Sequence, residues 1–570
     1  MNFLPSRRSG LLLLLVCFGA FWWRLGSIGL IDPDEPFYAQ SAREMVQTHD
    51  WLTPQIYGAP QFEKPIFYYW MVASSFKALG ESELTGRLPT ALSATLLVFL
   101  VWIWARRALN PRAAFFAALT LATGLEFGVM SRLLLTDVPL AVFLTGSIFC
   151  YWLALEDPVR RDRWVFLHFV CTGFAVLTKG PIGTLIPLFA VLAYSAWTKS
   201  RPLWRGRGFW AGLAAYAVIV GPWYGLMFAW HGQQFWTEFF IRDNWMRLLY
   251  AEHPANNSIG KIFDFGIHYY VGLLLIGSLP WLPATLLSFR RALHASRQDR
   301  SVAFLWCWLA SSLLFLTIAQ SKLPSYGFFL FVPMSLVTGM TLDSLVSQGF
   351  RTVGEKRLVL GGAGLQVLAA AVAPLLPPGR PFAIPALLMA VCLLLGLVFL
   401  VRGQWGRWLA SSAFASMALI VGALTFSRDG VEADSSARPV AQEMLRQQQN
   451  GEPLLSGKFL VRGIIYYTRQ PVTVFASKPQ PFWAAHPLPV VVWRKNGLAN
   501  YLTSHPTALC AVRESDWGVI SKDPSFAKRD GWAQSGSNIV VRAHAPEPNS
   551  VGKEPAGSGG ESVNSGQDVK

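Results

Sequence analysis

The residues able to do chemistry concentrate in one stretch, Ile31 to Arg87. Asp32, Asp34, Glu35, Glu44 and Glu63 stand there beside Arg43 and Lys64, among Phe, Tyr and Trp side chains. Asp34 and Glu35 open a helical pattern with Phe37, Tyr38, Ala42, Met45 and Val46 on one side and Gln40, Arg43, Glu44 and Gln47 on the other. That pattern describes a helix lying in a membrane interface with its N-terminal acids at the surface. The plainer reading is that Asp32 to Glu35 merely cap the helix, since Asp is a strong N-cap and Pro36 suits the first turn. Gln61-Phe62-Glu63-Lys64-Pro65 follows, then a second interfacial helix from Ile66 to Leu79, rich in Tyr and Trp. A Lys beside lipid either snorkels to any headgroup phosphate or recognises one lipid phosphate in particular. Glu63 is a weak ion-pair partner for it if exposed, or a proton or metal handle if enclosed.

Other loops bring the same residue types. Ser131 to Pro139 puts Asp137 at the mouth of an apolar run, Lys179 stands between two more, and Ser321-Lys322-Leu323-Pro324-Ser325-Tyr326 adds a cation and a Tyr. Acids within spans cost roughly 2.5 to 3.5 kcal/mol on insertion scales, so they line a cavity, mark function or neutralise a neighbour; for Asp137 that neighbour would be Arg132. Clustered carboxylates facing cations from separate loops fit a two-substrate reaction at the lipid headgroup level. Lys and Arg would hold a phosphate, and Tyr and Trp would stack on a sugar. One carboxylate would act as base on an acceptor hydroxyl or orient the attacking group.

The elements that must position these groups are membrane spans. The 570 residues are 52% hydrophobic and 14% charged, with 24 Trp and 39 Phe, and the mean hydropathy is +0.35, outside the range of an ordinary soluble protein. The net charge of +16 is spread as short clusters between apolar runs. It makes no basic stripe, which argues against a nucleic-acid partner. Of the six Cys only Cys510 lies in polar sequence, leaving no disulfide framework and no CxxC metal signal. With roughly 20 apolar residues per span, about thirteen transmembrane helices are expected. They fall near 10–30, 86–105, 112–131, 134–155, 164–179, 181–198, 209–230, 266–288, 302–319, 326–347, 356–376, 381–401 and 408–426. The first has the charged start of a signal peptide but no cleavage site and reads as a retained span. Arg106 and Arg107, Arg160 to Arg163, Lys199 to Arg207, Arg290 to Arg300 and Arg351 to Arg357 then fall on one side, the cytoplasmic one. The loop 31–87, the Lys179 turn, the Ser321 to Tyr326 turn and everything after 426 face the other.

Residues 1–426 thus form the membrane domain, and 427–545 read as a small α/β domain. In it SSARPVAQEMLRQQQ has the pattern of an amphipathic helix, and GKFLVRGIIYYT, LPVVVWRK, TALCAVRE and SNIVVRA read as short strands. Residues 546–570 have the composition of a disordered tail.

One order of motifs runs over most of residues 10–350: a DE pair after the first span, REM, W-x-x-P, FEKP, Arg-Leu-Pro into the second span, and L-x-x-D-x-P-L at Leu134 to Leu140. LTKG at Leu177 to Gly180, FFxxDNxxR at Phe239 to Arg247, LPW-x-P at Leu279 to Pro283 and SKLPxY at Ser321 to Tyr326 continue it. This order resembles the membrane glycosyltransferases of the GT-C class, including the lipid A aminoarabinose transferases and the protein O-mannosyltransferases. The resemblance implies a polytopic α-helical GT-C fold in a bacterial inner membrane. Its activity would be inverting transfer of a sugar from a polyprenyl (undecaprenyl) phosphate to an envelope acceptor such as lipid A, at the periplasmic face. It implies Asp34 as the catalytic carboxylate with Glu35 its neighbour. Lys64, Arg247, Tyr326 and Lys322 would hold the lipid phosphate, Asp137, Lys179 and Arg43 would shape the site, and Glu63 would be the contact for any divalent cation. The chain departs from the aminoarabinose transferases in having Gln61 where they tend to carry Tyr, and Asp243-Asn244 where they carry Glu-His. A protein or polysaccharide acceptor would use the same donor site. A polyprenyl-lipid transporter would instead place its polar residues near the midplane in matching halves.

Overall fold

The computed structural model describes residues 6–250, 267–295, 299–449, 451–481, 487–493 and 497–545; the tail expected over 546–570 lies outside them. Eight helices among the described residues are long and apolar enough to cross a bilayer: Glu83–Ala108, Asp137–Glu156, Arg207–Leu249, Arg300–Ile318, Pro324–Gln348, Val353–Leu375, Gly379–Val401 and Trp405–Phe426. Local chemistry sets their ends. Ser82 and Thr85 form a reciprocal capping box at the start of Glu83–Ala108, and Arg106 and Arg107 occupy its last turn, where the helix dipole favours cations.

Two expected spans are interrupted. The 112–131 segment divides into Pro111–Ala122 and Leu125–Met130, and the 266–288 segment into Ile267–Gly277 and Leu282–Ala295. The breaks lie against each other: the Leu125 amide donates to the Leu279 carbonyl at 2.9 Å and Trp281 Nε1 to Thr123 Oγ1 at 2.9 Å. Backbone groups freed inside a span must find partners in the protein, and each break supplies the other.

At the Ala108 end of the Glu83–Ala108 helix the Arg-bearing connections meet one another, Arg112 pairing with Asp343 and Arg291 with Glu355. At its Glu83 end the 31–87 stretch builds a core of its own. Phe37, Tyr38, Met45, Phe62, Tyr68 and Tyr69 pack there with Trp223, Phe235 and Phe239 of the long helix and with Tyr466 from the far C-terminal part. Within the Asp34–Thr48 helix every residue from Glu35 to Met45 is buried, so its polar face is covered as well as its apolar one. Gln55–Ile56 (β1) and Ala59–Pro60 (β2) make a short antiparallel pair in the same stretch.

The C-terminal part is a six-stranded sheet of Leu454–Gly457 (β3), Val472–Ala476 (β4), Val490–Val492 (β5), Thr507–Arg513 (β6), Ala533–Ser535 (β7) and Asn538–His544 (β8), in the order β5-β4-β3-β6-β8-β7. β3 to β6 run parallel and β8 and β7 are antiparallel additions. The two-residue alternation of strands divides the core. Leu454, Val472, Val474 and Leu509 face helices Arg438–Gln447 and Val461–Thr468, while Leu455, Phe475, Cys510 and Val541 face Leu498 and Ile520 of the helices on the other side. GKFLVRGIIYYT, expected as a strand, contains the helix Val461–Thr468. It is the crossover that parallel β3 and β4 require. Its apolar residues Leu460, Val461, Ile464 and Ile465 cover the sheet at helical spacing, and Tyr466 is left to the 31–87 core.

Candidate active site

Two adjacent carboxylates open the Asp34–Thr48 helix, in opposite surroundings. Glu35 is buried and accepts four hydrogen bonds: Arg87 Nε at 2.9 Å and the Leu134 amide at 2.6 Å on Oε1, Arg87 Nη2 at 2.5 Å and the Ile31 amide at 2.6 Å on Oε2. Arg87 spends its remaining donors on the carbonyls of Leu25, Ile28 and Gly29. The pair therefore ties the stretch Leu25 to Gly29, the Glu83–Ala108 helix and the 131–137 turn together. Asp34, one residue earlier, is exposed. Burial pushes the phenol of Tyr38 well above its ordinary range, and the charges of Tyr69, Asp34 and Asp137 push it further. Asp34 also acts electrostatically on the guanidinium of Arg462.

Beside this turn three cations converge. Lys179 closes the helix Arg161–Lys179, forms an ion pair with Asp137 at the start of the preceding helix, Asp137–Glu156, and stands 4.7 Å over the ring of Tyr326. Lys64 Nζ donates to Asp243 Oδ2 and to its neighbour's Glu63 carbonyl, both at 2.7 Å. Arg247 meets the other oxygen of Asp243 at 2.8 Å. Asp243 and Asn244 lie on a π-helical segment, Trp236–Met246, a geometry frequent at functional sites. Gly180, at φ +83°, lets the Lys179 turn close on this segment; a Cβ there would stand 3.0 Å from the Phe239 ring.

These groups line a cavity of about 510 Å³, Lys64, Lys179, Asp243, Arg247 and Tyr326 giving its polar part and Ile182, Leu185, Trp236, Phe240, Phe315 and Leu316 much of its apolar part. The three cations are paired to two carboxylates, Asp137 and Asp243, while Glu63, a further acid in the cavity wall, faces Arg462 at 3.6 Å. A charged patch in a large apolar cavity suits an anionic head on a hydrocarbon chain.

Not every expected site residue lies there. Lys322 turns its ammonium onto the carbonyls of Thr317 and Ala319, at the end of the preceding helix Arg300–Ile318. Arg43 stacks 3.9 Å over Tyr466 and pairs with Glu81, between the first loop and the sheet domain. Burial raises the Glu81 carboxyl, but Arg43 outweighs it and leaves the group below its ordinary value. Glu63 faces Arg462 at 3.6 Å, and among the described residues no three His, Cys, Asp or Glu side chains group to hold a metal ion. The donor set around Glu63 therefore does not fit a divalent cation. Arg132, the alternative partner for Asp137, instead donates to the carbonyls of Ala20 and Trp23. Two residues had no role assigned from sequence: Asp243, visible only as part of a motif, and Arg462, hidden in a segment read as a strand.

Residues 10–239 match the family model described as dolichyl-phosphate-mannose-protein mannosyltransferase. The chain is 33% identical over 387 residues to the undecaprenyl phosphate-alpha-4-amino-4-deoxy-L-arabinose arabinosyl transferase of Pseudomonas aeruginosa, covering 66% of this chain and 67% of that one. The enzyme of the same name from Pseudomonas paraeruginosa is 32% identical over 416 residues, 70% of each chain. The crystal structure of ArnT from Cupriavidus metallidurans bound to undecaprenyl phosphate superposes with a TM-score of 0.74 at 22% identity, over 94% of this chain and 98% of that one. One third identity across two thirds of both chains, on a fold shared almost from end to end, makes this protein a membrane glycosyltransferase of the GT-C family that includes the aminoarabinose transferases.

Proposed function

We propose that the protein moves a sugar from an undecaprenyl phosphate carrier to an envelope glycolipid such as lipid A, with the active site and the sheet domain on the periplasmic side. The observation that carries this reading is the placing of Lys64, Lys179 and Arg247, with Glu63 and Asp243 beside them, in a cavity whose remaining wall is largely aliphatic and aromatic. As the bond from the anomeric carbon to the phosphate oxygen breaks, the phosphodiester becomes a monoester and its negative charge grows. Fixed cations stabilise that change more than they stabilise the bound donor. Asp137 and Asp243 hold the cations in place, so little reorganisation is needed at the moment of reaction. Tyr326, under Lys179, fixes one of them from below.

In this reading Asp34, exposed at the head of its helix, takes a proton from an acceptor hydroxyl as it attacks the anomeric carbon from the face opposite the phosphate. If the acceptor is itself a phosphate, no proton need be removed and Asp34 positions it. Glu35, with both oxygens engaged, holds the turn on which Asp34 stands. The test is release of undecaprenyl phosphate from sugar-loaded carrier by purified protein in detergent, with lipid A as acceptor. Release should require both lipid A and Asp34, and be lost in Asp34→Asn. Equal release by that variant would remove Asp34 from the chemistry, and release with a protein acceptor but not with lipid A would move the reading to protein glycosylation.

A further inference from the structure

Away from these residues a second cavity, of about 360 Å³, lies between the Glu83–Ala108, Asp137–Glu156 and Arg161–Lys179 helices and shares no residue with the first. Its wall runs from Leu96 to Arg107 on the first helix and from Val142 to Leu153 on the second, and reaches Trp164 on the third. At 1.5 Å per residue the groove is roughly 16 Å long, about half of a 30 Å hydrocarbon core, and it occupies the half next to Ala108. Leu96 and Ile103 are more than half exposed, so the groove opens sideways toward lipid. Trp104 and Phe149 stack at 4.2 Å as an aromatic wall. Gly146 adds no side chain to the space, and a Cβ there would stand 3.1 Å from the Cys171 sulfur.

The apolar groove ends on cations. Arg106 and Arg107 occupy the last turn of their helix; both are exposed, and neither pairs with a carboxylate among the described residues. Arg106 stands 5.0 Å over the Trp102 ring and Arg163 5.8 Å over the Trp164 ring. Arg160 and Arg161 join them, against the acids Glu156, Asp157 and Asp162 of the same connection. Asp157 and Asp162 already accept the Arg160 and Gly208 amides, so the mouth of the groove stays positive. The indole N–H groups of Trp104 and Trp164 have no hydrogen-bond partner among the described residues, although a buried Trp usually finds one.

We propose that this groove binds an anionic glycerophospholipid of the bilayer. One acyl chain lies along Leu96 to Trp104, the phosphate rests on Arg107, and the ester carbonyls face the two indoles. Trp104 lies about 4.5 Å deeper than Arg107 along the helix axis, which is the order in which esters follow phosphate in such a lipid. Arginines at a membrane surface attract anionic headgroups, and a groove one leaflet deep fits a fatty acyl chain and is too short for an undecaprenyl chain. The inference is independent of the donor reading above. A lipid seated here touches three helices at once, so its binding also stabilises the folded chain.

The test titrates the full chain, delipidated in detergent, with phosphatidylglycerol or phosphatidylcholine of the same acyl chains, and reads the first bound lipid by native mass spectrometry and the thermal midpoint. Wild type should bind phosphatidylglycerol about tenfold more tightly, with a matching rise in midpoint. Arg107→Gln should reduce that preference to twofold or less, whereas Arg402→Gln, an exposed arginine outside the groove, should leave it unchanged. Leu100→Trp, which fills the groove, should weaken both lipids; should that variant misfold, the exposed Arg107 decides alone. No headgroup preference in wild type, equal losses in Arg107→Gln and Arg402→Gln, or undiminished binding by folded Leu100→Trp overturns the site. Displacement of the phosphatidylglycerol by equimolar undecaprenyl phosphate would give the groove to the polyprenyl lipid and overturn it as well.

Discussion

Four hydrogen bonds converge on Glu35 while Asp34, its neighbour, stands exposed. Their substitutions should therefore separate stability from turnover. Glu35→Gln leaves Arg87 buried without its counter-charge, and breaking such a pair costs about 3–5 kcal/mol; a large drop in thermal midpoint and in yield is expected. Asp34→Asn removes no buried contact, so stability should stay within about 0.5 kcal/mol while transfer is lost. The reverse pattern in thermal unfolding and transfer assays would exchange the two roles. The cations separate in a similar way. Arg247 offers a planar fork and Lys64 a point charge, so Arg247→Lys should forfeit one charge-assisted hydrogen bond, about 1.5–3 kcal/mol. The corresponding tenfold or greater fall should appear in kcat/KM for the donor, with the fold intact by circular dichroism.

At the scale of elements, the Val461–Thr468 helix links the sheet domain to the site. Gly463 touches Asp32 so closely that a Cβ would stand 2.5 Å from both carboxylate oxygens. Gly463→Ala should cost about 1–3 kcal/mol by overpacking, and Asp32→Ala about 1–3 kcal/mol by leaving two helix-terminal amides unmet. The double variant should cost less than the sum, because the first substitution clashes with atoms that the second removes. Strict additivity in thermal unfolding would mean that Asp32 does not hold the helix. This helix was also the least legible element of the sequence. Ile464, Ile465, Tyr466 and Tyr467 favour strands locally, and only the need for a crossover between parallel strands overrides them. The breaks at Thr123 and Ser278 were hidden for a related reason: apolar composition continues through both, and the partner of each lies more than a hundred residues away. The long spans, the helix beginning at Asp34 and the β6 and β8 strands were readable, because period and length there agree with the fold. The motifs brought Lys64, Lys179, Arg247 and Tyr326 to notice, but the sharing of Asp243 by two cations is a property of the folded chain.

For the whole molecule the remaining question is which side of the membrane the site faces. Charge counting and contacts divide the loops alike. Near the Ala108 end of the Glu83–Ala108 helix, Arg112 pairs with Asp343, and Arg291, from a loop expected on the cytoplasmic side, pairs with Glu355. The 31–87 stretch and the sheet domain gather at its Glu83 end, where Arg438 meets Glu83 at 2.8 Å. A helix of 26 residues at 1.5 Å per residue separates these ends by roughly 39 Å, more than the hydrocarbon core of about 30 Å. The two ends therefore face opposite compartments, and the positive-inside rule would make the Arg-rich one cytoplasmic, in line with the periplasmic site proposed above. Ala78, exposed at the end of the helix after Lys64, and Val159, 93% exposed between Asp157 and Arg160, report on them. With the native cysteines replaced, Ala78→Cys should react with a membrane-impermeant maleimide in spheroplasts, and Val159→Cys only after the membrane is opened. The opposite labelling would place the cations and Asp34 in the cytoplasm, where a donor loaded on the periplasmic leaflet could not reach them.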